Sequence, residues 1–154
     1  MTERPDLLPA HLPRRLGAML YDTLLVLALA MLTLYPLTIM TDGNLPRPAV
    51  QSLVFVETFA FFAFFWTRRG QTAGMLAWRL RVQSLDGHGL TLRQALLRFI
   101  GATLSFASLG IGYLWMLIDP GRRTWPDMLS GTEVFHVRAK RDPGSQRLRK
   151  KDTG

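Results

Sequence analysis

Three ionisable side chains interrupt or border apolar segments, where a charge is costly. Asp22 falls within the apolar run at 16–40, Glu57 within the run at 49–66, and Arg98 at the start of a third run. Because a charge at bilayer depth costs at least about 2.5 kcal/mol, such residues are expected to face protein and to find partners there. An acid pair beside one arginine either binds and releases a monovalent cation or proton, or only fixes the helix register.

Arg15 lies at the start of the first predicted helix, and Asp22 follows it seven residues later, inside the apolar run. A spacing of seven residues places both on nearly one helix face, about 10 Å apart along the axis. We expect that face to pack inward, with Asp22 paired to Arg98 or to Arg15, since a carboxylate facing lipid is disfavoured.

The segment IDPGRRTWPDMLSGT at 118–132 also carries charge next to an apolar run. Its first residues end the third run, and the Pro-Asp pair at 126–127 begins one predicted helical turn. Asp127 is placed to cap that turn. Alternatively, its carboxylate contacts Arg15 or Arg98 at the cytoplasmic interface.

Apolar and charged residues are strongly segregated along the 154-residue chain. About 20 apolar residues span a hydrocarbon core, so the runs predict an all-α integral membrane protein, a small bundle of three or four transmembrane helices with a cytoplasmic β-hairpin. The net charge of +8 would favour a nucleic-acid partner in a soluble chain. Here the positive-inside rule explains it, and no nucleic-acid partner is expected.

The composition divides the chain into a flexible N-terminal lead at 1–13, a membrane domain at 14–138 and a basic, disordered tail at 139–154. The first helix, predicted at 14–40, is expected to remain rather than to be cleaved as a signal peptide. Its apolar run continues ten residues beyond the small residues that resemble a cleavage site. A second helix is predicted at about 49–67.

The segment from 70 to 92 is too polar to span a bilayer. Alternating residues on both sides of Asp86-Gly87 predict a hairpin with strands at 79–84 and 89–92. The segment TEVFHV at 132–137 alternates in the same way and predicts a further strand.

The third apolar region, 93–119, either crosses the membrane once or enters and returns. We favour the return, with a break between Ser105 and Gly112, because every basic segment except the one with Arg47 then lies on one side. Both termini would be cytoplasmic. A break at membrane depth is tolerated where protein or water covers the freed backbone groups.

Motifs for catalysis or for metal and cofactor binding are lacking. The chain has no cysteine, three scattered histidines, and no nucleophile elbow, phosphate-binding loop or HExxH sequence. We therefore expect no enzyme activity, no metal and no cofactor.

Several motifs together resemble the RDD family of bacterial membrane proteins, which is named for one arginine and two aspartates. The matching segments are RLGAMLYD at 15–22, GQTAG at 70–74, LRVQSLDG at 80–87, LLRF at 96–99 and the D-x7-D-x3-GT arrangement from Asp119 to Thr132. The resemblance implies that Arg15, Asp22 and Asp127 form the family motif. It further implies a cytoplasmic loop motif of Gly70, Thr72, Gly74, Asp119, Gly131 and Thr132.

The resemblance also implies a multi-pass protein of the bacterial inner membrane, for which transport of ions or small solutes is a proposal attached to the family. One position departs from the pattern. Met75 stands where the family's G-x-T-x-G is commonly followed by lysine. Any contact of that lysine with lipid phosphate or substrate would here fall to Arg79 or Arg81.

Two functions remain open from the sequence. In a small transporter or transporter subunit, Asp22 and Glu57 would bind the cation or proton, Arg98 would adjust their pKa values, and Arg15 with Asp127 would form a cytoplasmic gate. Three or four short helices enclose little volume, so this function implies a homo-oligomer. In a scaffold or assembly factor, the hairpin and the basic tail would contact a partner or anionic membrane lipid.

Overall fold

The computed structural model describes residues 7–137, and the predicted tail at 139–154 lies outside them. The chain is mostly helical, with a small antiparallel sheet. In chain order its elements are β1 (Leu7–Pro9), α1 (Leu12–Met40), α2 (Arg47–Arg69), α3 (Ala73–Ala77), β2 (Leu80–Ser84), α4 (Leu92–Ala107), α5 (Ile111–Leu114), a 3-10 turn (Trp115–Leu117), α6 (Trp125–Ser130) and β3 (Thr132–Val137).

Two helices, α1 and α2, are long and apolar enough to cross a membrane. Proline stands in the first turn of each, where its missing N–H costs nothing. α2 ends at Gly70, which adopts a left-handed φ of 64°. Little of either apolar segment is buried by the rest of the protein. Apolar surface of that extent marks contact with lipid or with another protein.

The third apolar region is broken, as the sequence predicts. α4 and the segment Ile111–Leu117 meet at a bend of 110° and, taken together, make a third candidate span. The bend lies at Ser108–Gly110, where Gly110 has a left-handed φ of 86°. The bend therefore falls within the range between Ser105 and Gly112 in which the sequence predicted the break.

The sheet has the strand order β1-β3-β2, and both pairings are antiparallel. Val82 of β2 lies opposite Val134 of β3, so the strands predicted at 79–84 and 132–137 are confirmed and pair with each other. β2 precedes the broken helix and β3 follows it. The chain therefore returns to the end of the molecule where α4 begins, called here the sheet end.

Two local predictions are wrong. Residues 89–92 form no strand, because Thr91 is the N-cap of α4 and exchanges hydrogen bonds with Gln94 in a capping box. The expected hairpin is replaced by a turn, in which the Gly87 amide donates to Ser84, and by the three-stranded sheet. Part of the segment expected as a flexible lead is folded, since Leu7–Pro9 pair with β3 and α1 begins at Leu12.

The apolar core lies at the sheet end. Fully buried side chains of the two longer strands pack against the first turns of α4 and the last turns of α2. The core comprises Leu80, Val82, Val134, Ala95, Phe99, Ala63 and Trp66, together with Ala10, Ala18 and Leu90. Because residues of α1 and α4 belong to this core, it fixes the positions of the charged residues on these two helices.

Candidate functional site

Arg15, Arg98 and Asp127 form a buried ion cluster, called here the two-arginine cluster. Arg98 Nη1 donates to Asp127 Oδ1 at 2.7 Å, and Arg15 Nη1 donates to Asp127 Oδ2 at 2.5 Å. The exposed fractions of the Arg15, Arg98 and Asp127 side chains are only 8%, 6% and 0%. One carboxylate therefore connects α1, α4 and α6. The cluster carries two positive charges against one negative charge.

Each arginine has further acceptors within the fold. Arg15 Nε donates to the Ala10 carbonyl at 3.3 Å and Nη2 to the Val134 carbonyl at 3.4 Å. Arg98 Nη1 also donates to Thr132 Oγ1 at 2.7 Å. The buried guanidinium of Arg15 thus connects the start of α1 to β3.

The position of Asp127 follows from the local sequence. Proline at 126 starts α6, Gly131 ends it with a left-handed φ of 61°, and Asp127 Oδ2 accepts from the Thr124 amide at 3.1 Å. Burial by itself raises the pKa of Asp127. The guanidinium groups of Arg98 and Arg15 lower it by more than burial raises it, and the resulting pKa is about 2. Both alternatives considered for Asp127 are therefore realised, the cap and the ion pair.

Asp22 lies on the same buried face of α1 as Arg15, as its spacing predicts. Its partners differ from the expected ones. Asp22 Oδ2 accepts from Thr72 Oγ1 at 2.5 Å, and Oδ1 accepts from the Gly74 amide at 2.8 Å. The expected pairing of Asp22 with Arg98 or Arg15 is wrong, because both arginines bind Asp127 instead. Asp22 connects α1 to the start of α3.

Gly74 is required by the close approach of α3 to α1. A β-carbon at this position would lie 2.9 Å from Asp22 Oδ1 and would overlap the carbonyl oxygen of Ala18. We expect Gly74→Ala to reduce the free energy of unfolding by about 1–3 kcal/mol, the usual cost of overpacking. Unfolding in a mild detergent measures this loss. Gly89→Ala is the matched control, since no atom lies within 4 Å of its β-carbon position, and an equal loss in both variants would contradict the argument.

Glu57 stands apart from the other charged residues. Its Oε1 accepts from Thr33 Oγ1 of α1 at 2.7 Å, and its Oε2 is buried with no partner among residues 7–137. The expected Asp22–Arg98–Glu57 cluster is therefore not formed. Glu57 connects α1 and α2, and Arg98 belongs to the two-arginine cluster.

The remaining loop-motif residues shape the sheet end. The Gly70 carbonyl accepts from the Val82 amide at 2.8 Å and so joins the end of α2 to the sheet. Asp119 Oδ2 accepts from Arg123 Nε at 3.1 Å, and this hydrogen bond lowers the pKa of Asp119. Among the described residues, Asp119 has no contact with the two-arginine cluster.

A cavity of about 650 Å³ lies between α1, α2 and α4. Arg15, Asp22 and Arg98 form polar parts of its wall, and most of the remainder is apolar. The wall extends along α2 from Trp66, near the sheet end, to Val50 near the opposite end of that helix. This distance is about 24 Å along the helix axis. Glu57 is not part of the wall.

Sequence reasoning named Thr72 in the loop motif but missed its contact with Asp22, and it did not place Trp66 in the site. Thr72 holds the Asp22 carboxylate and also accepts from the Met75 amide at 3.1 Å as the N-cap of α3. The signal was Thr between two glycines, a capping residue before a short helix. Trp66 was missed as well, although the Arg98 guanidinium carbon lies 5.3 Å from its ring centroid. No local sequence pattern indicates that contact.

Within the described part of the chain, no three His, Cys, Asp or Glu residues are grouped so as to hold a metal ion. The model of one protein family matches residues 9–131, and that family is described as the RDD family. No curated protein matches the chain, and no solved structure does. The matched region includes both aspartates and the arginine of the motif.

Proposed function

Because the chain belongs to the RDD family, we propose that it is a multi-pass protein of the bacterial inner membrane that exchanges a monovalent cation for protons, by itself or as a transporter subunit. The apolar helices and the family together indicate a membrane protein. Exchange of a cation for protons goes beyond what the helices and the family indicate, and the surroundings of Asp22 support it.

The observation that carries the proposal is the position of Asp22 in the cavity wall. Asp22 lies eleven residues into α1 counting from Leu12, inside a candidate span, and the cavity leads from it toward Val50 at the opposite end of α2. Ionisable groups within membrane spans line ion and proton pathways far more often than they face lipid. Thr23 follows Asp22 in the wall and adds a hydroxyl group to the path.

The topology that fits this function has both termini in the cytoplasm. The pairing of β2 with β3 supports it, since the two strands flank the broken third region and need a shared side. α4 and the segment after it would then enter the membrane and return. The two-arginine cluster would close the cytoplasmic end of the cavity, and a homo-oligomer would shield the apolar faces of α1 and α2.

Asp22→Asn is the test of exchange. The asparagine oxygen accepts from the Gly74 amide and its N–H₂ group donates to the Thr72 hydroxyl, so both contacts are kept while the ionisable group is lost. We expect dissipation of a pH gradient on addition of sodium, lithium or potassium to fall by about tenfold or more in proteoliposomes, since removal of an essential proton-transfer group typically costs 10²–10⁴ in rate.

Glu57→Gln is the matched control for that experiment. It also removes a membrane carboxylate, but one outside the cavity wall, and we expect its flux to equal that of the unsubstituted protein. Comparing the two variants therefore tests Asp22 and Glu57 individually, whereas the sequence analysis assigned both residues to one cation or proton site. Equal flux in Asp22→Asn and in the unsubstituted protein would contradict the proposal.

A scaffold is the second candidate, and one observation favours it. Both oxygens of Asp22 already accept hydrogen bonds, from Thr72 and Gly74, and so connect α1 to α3. In a scaffold, Asp22→Asn lowers the melting temperature or weakens assembly with a partner. The unsubstituted protein then produces no flux with any of the three cations.

A further inference from the structure

Arg98 has hydrogen-bond donors that the described residues leave unused. Its two recorded hydrogen bonds, to Asp127 and Thr132, both come from Nη1. Within residues 7–137, Nε and Nη2 donate to no acceptor. These two nitrogens form one edge of the guanidinium plane, the geometry that binds two oxygens of a phosphate or carboxylate side by side. Arg98 belongs to the cavity wall, so a ligand in the cavity lies next to its side chain.

The charge balance at this position favours an anion. Arg15 and Arg98 share the single carboxylate of Asp127, which leaves one positive charge uncompensated within the cluster. Asp22 is the acid that faces the same cavity, but its oxygens accept from Thr72 and Gly74. Among the described residues it forms no ion pair with either arginine. Arg98 therefore needs a further counter-charge, since buried charges are normally paired.

Trp66 provides a second, independent indication. It is 5% exposed, it belongs to the cavity wall, and its Nε1 has no hydrogen-bond partner among residues 7–137. Buried indole N–H groups usually find an acceptor. Its ring contacts the Arg98 guanidinium, so an oxygen-rich group at Arg98 would bring acceptors to the neighbourhood of Nε1.

The rest of the cavity is suited to a hydrocarbon chain. Apolar side chains of the three helices line it, among them Val26, Val54, Phe55 and Phe106. Its volume of about 650 Å³ is that of a typical small-molecule site. A cavity with an apolar body and one cationic end selects a ligand that has a hydrocarbon tail and an anionic head.

We propose that this cavity binds an anionic lipid, with the lipid phosphate on the Nε–Nη2 edge of Arg98 and one acyl chain between α1, α2 and α4. The lipid is a different ligand from the exchanged cation, and its binding does not depend on ion exchange. Both are proposed for the same cavity, so a bound acyl chain would restrict the ion path. The lipid would supply the missing counter-charge of the two-arginine cluster and would fill the space between α1 and α4.

The test compares three probes that differ only in head or tail: oleoyl lysophosphatidic acid, monoolein and inorganic phosphate. The full chain in a neutral detergent is titrated with each probe, and binding is followed by native mass spectrometry. We expect lysophosphatidic acid to bind at least about tenfold more tightly than monoolein, as a bidentate charge-assisted contact predicts. Inorganic phosphate is expected to give no adduct. Equal binding of monoolein, or equal binding of phosphate alone, overturns the proposal.

A variant that fills the cavity tests the location without changing the cluster. Ala102, one turn after Arg98, belongs to the cavity wall, whereas Leu104 on the same helix is 50% exposed and lies outside it. We expect Ala102→Phe to weaken lysophosphatidic acid binding by about tenfold, the effect of blocking an acyl-chain pocket, and Leu104→Phe to leave it unchanged. Binding that is unchanged in Ala102→Phe places the lipid elsewhere and overturns the proposal.

Arg98→Lys tests the headgroup contact, because lysine keeps the charge and loses the fork of donors. We expect about tenfold weaker binding of lysophosphatidic acid in this variant, with monoolein unaffected. Unchanged affinity overturns the assignment to Arg98. If this variant does not fold, the comparison of Ala102→Phe with Leu104→Phe still decides whether the cavity is the site.

Discussion

Asp127→Asn is expected to destabilise the protein by about 3–5 kcal/mol, the usual cost of breaking a buried ion pair from one side. Asparagine leaves Arg15 and Arg98 buried next to each other with no carboxylate between them. It also places an amide N–H₂ group where one of the two oxygens now accepts. The loss is measured as the change in the free energy of unfolding on titration with a denaturing detergent.

Asp119→Asn is the matched control. It removes the other aspartate of the same segment, whose partner Arg123 is 41% exposed, and water replaces that contact readily. We expect it to unfold like the unsubstituted protein. If Asp127→Asn unfolded at the same denaturant concentration as Asp119→Asn, the two-arginine cluster would not be a major support of the fold.

Local periodicity is sufficient for the features that depend on one element. A spacing of seven residues placed Arg15 and Asp22 on one buried face, and the proline–glycine pattern around Asp127 predicted the short helix α6. In both cases the physical cause lies within a few residues of its effect. The break in the third apolar region followed from the basic segments on both sides of it, which favour one side of the membrane, and the bend lies within the predicted range.

Partner choice between elements could not be derived in this way. Asp22 and Asp127 are both acids near an apolar segment, and either could have neutralised Arg98. The choice depends on the approach of α3 to α1 at Gly74, which brings Thr72 to Asp22, and on α6 lying against α4 at Gly101. These contacts join residues that are far apart in the sequence, so neither residue type nor local spacing predicts them.

The wrong strand at 89–92 has a different cause. Alternation over four residues agrees with a strand, but Thr91 followed by Gln94 is also a helix-start signal. The helix is favoured because α4 continues with apolar residues such as Ala95 and Phe99, which are buried in the core. Tertiary packing thus decided between two local patterns of similar strength.

Acid is expected to destabilise the protein through Asp127. Its pKa is about 2 in the folded protein against an ordinary value of 3.8. The unfolded chain therefore takes up a proton at higher pH than the folded protein does. The resulting stabilisation is fully present above about pH 5 and is lost progressively as the pH falls toward 2. The difference in pKa corresponds to about 2–3 kcal/mol for this buried group.

The free energy of unfolding measured from pH 7 to pH 3, at low and at high salt, tests this. Because Asp127 is buried between two guanidinium groups, we expect the acid-dependent loss to persist at high salt. The pair of Asp119 with Arg123, whose guanidinium is open to water, is screened. Asp119→Asn should lose only the salt-sensitive part of the profile, which comes from Asp119 itself, and should retain the part that persists at high salt. A profile that is flat down to pH 3, or one that becomes flat in Asp119→Asn, would mean that Asp127 is not the group whose protonation weakens the fold.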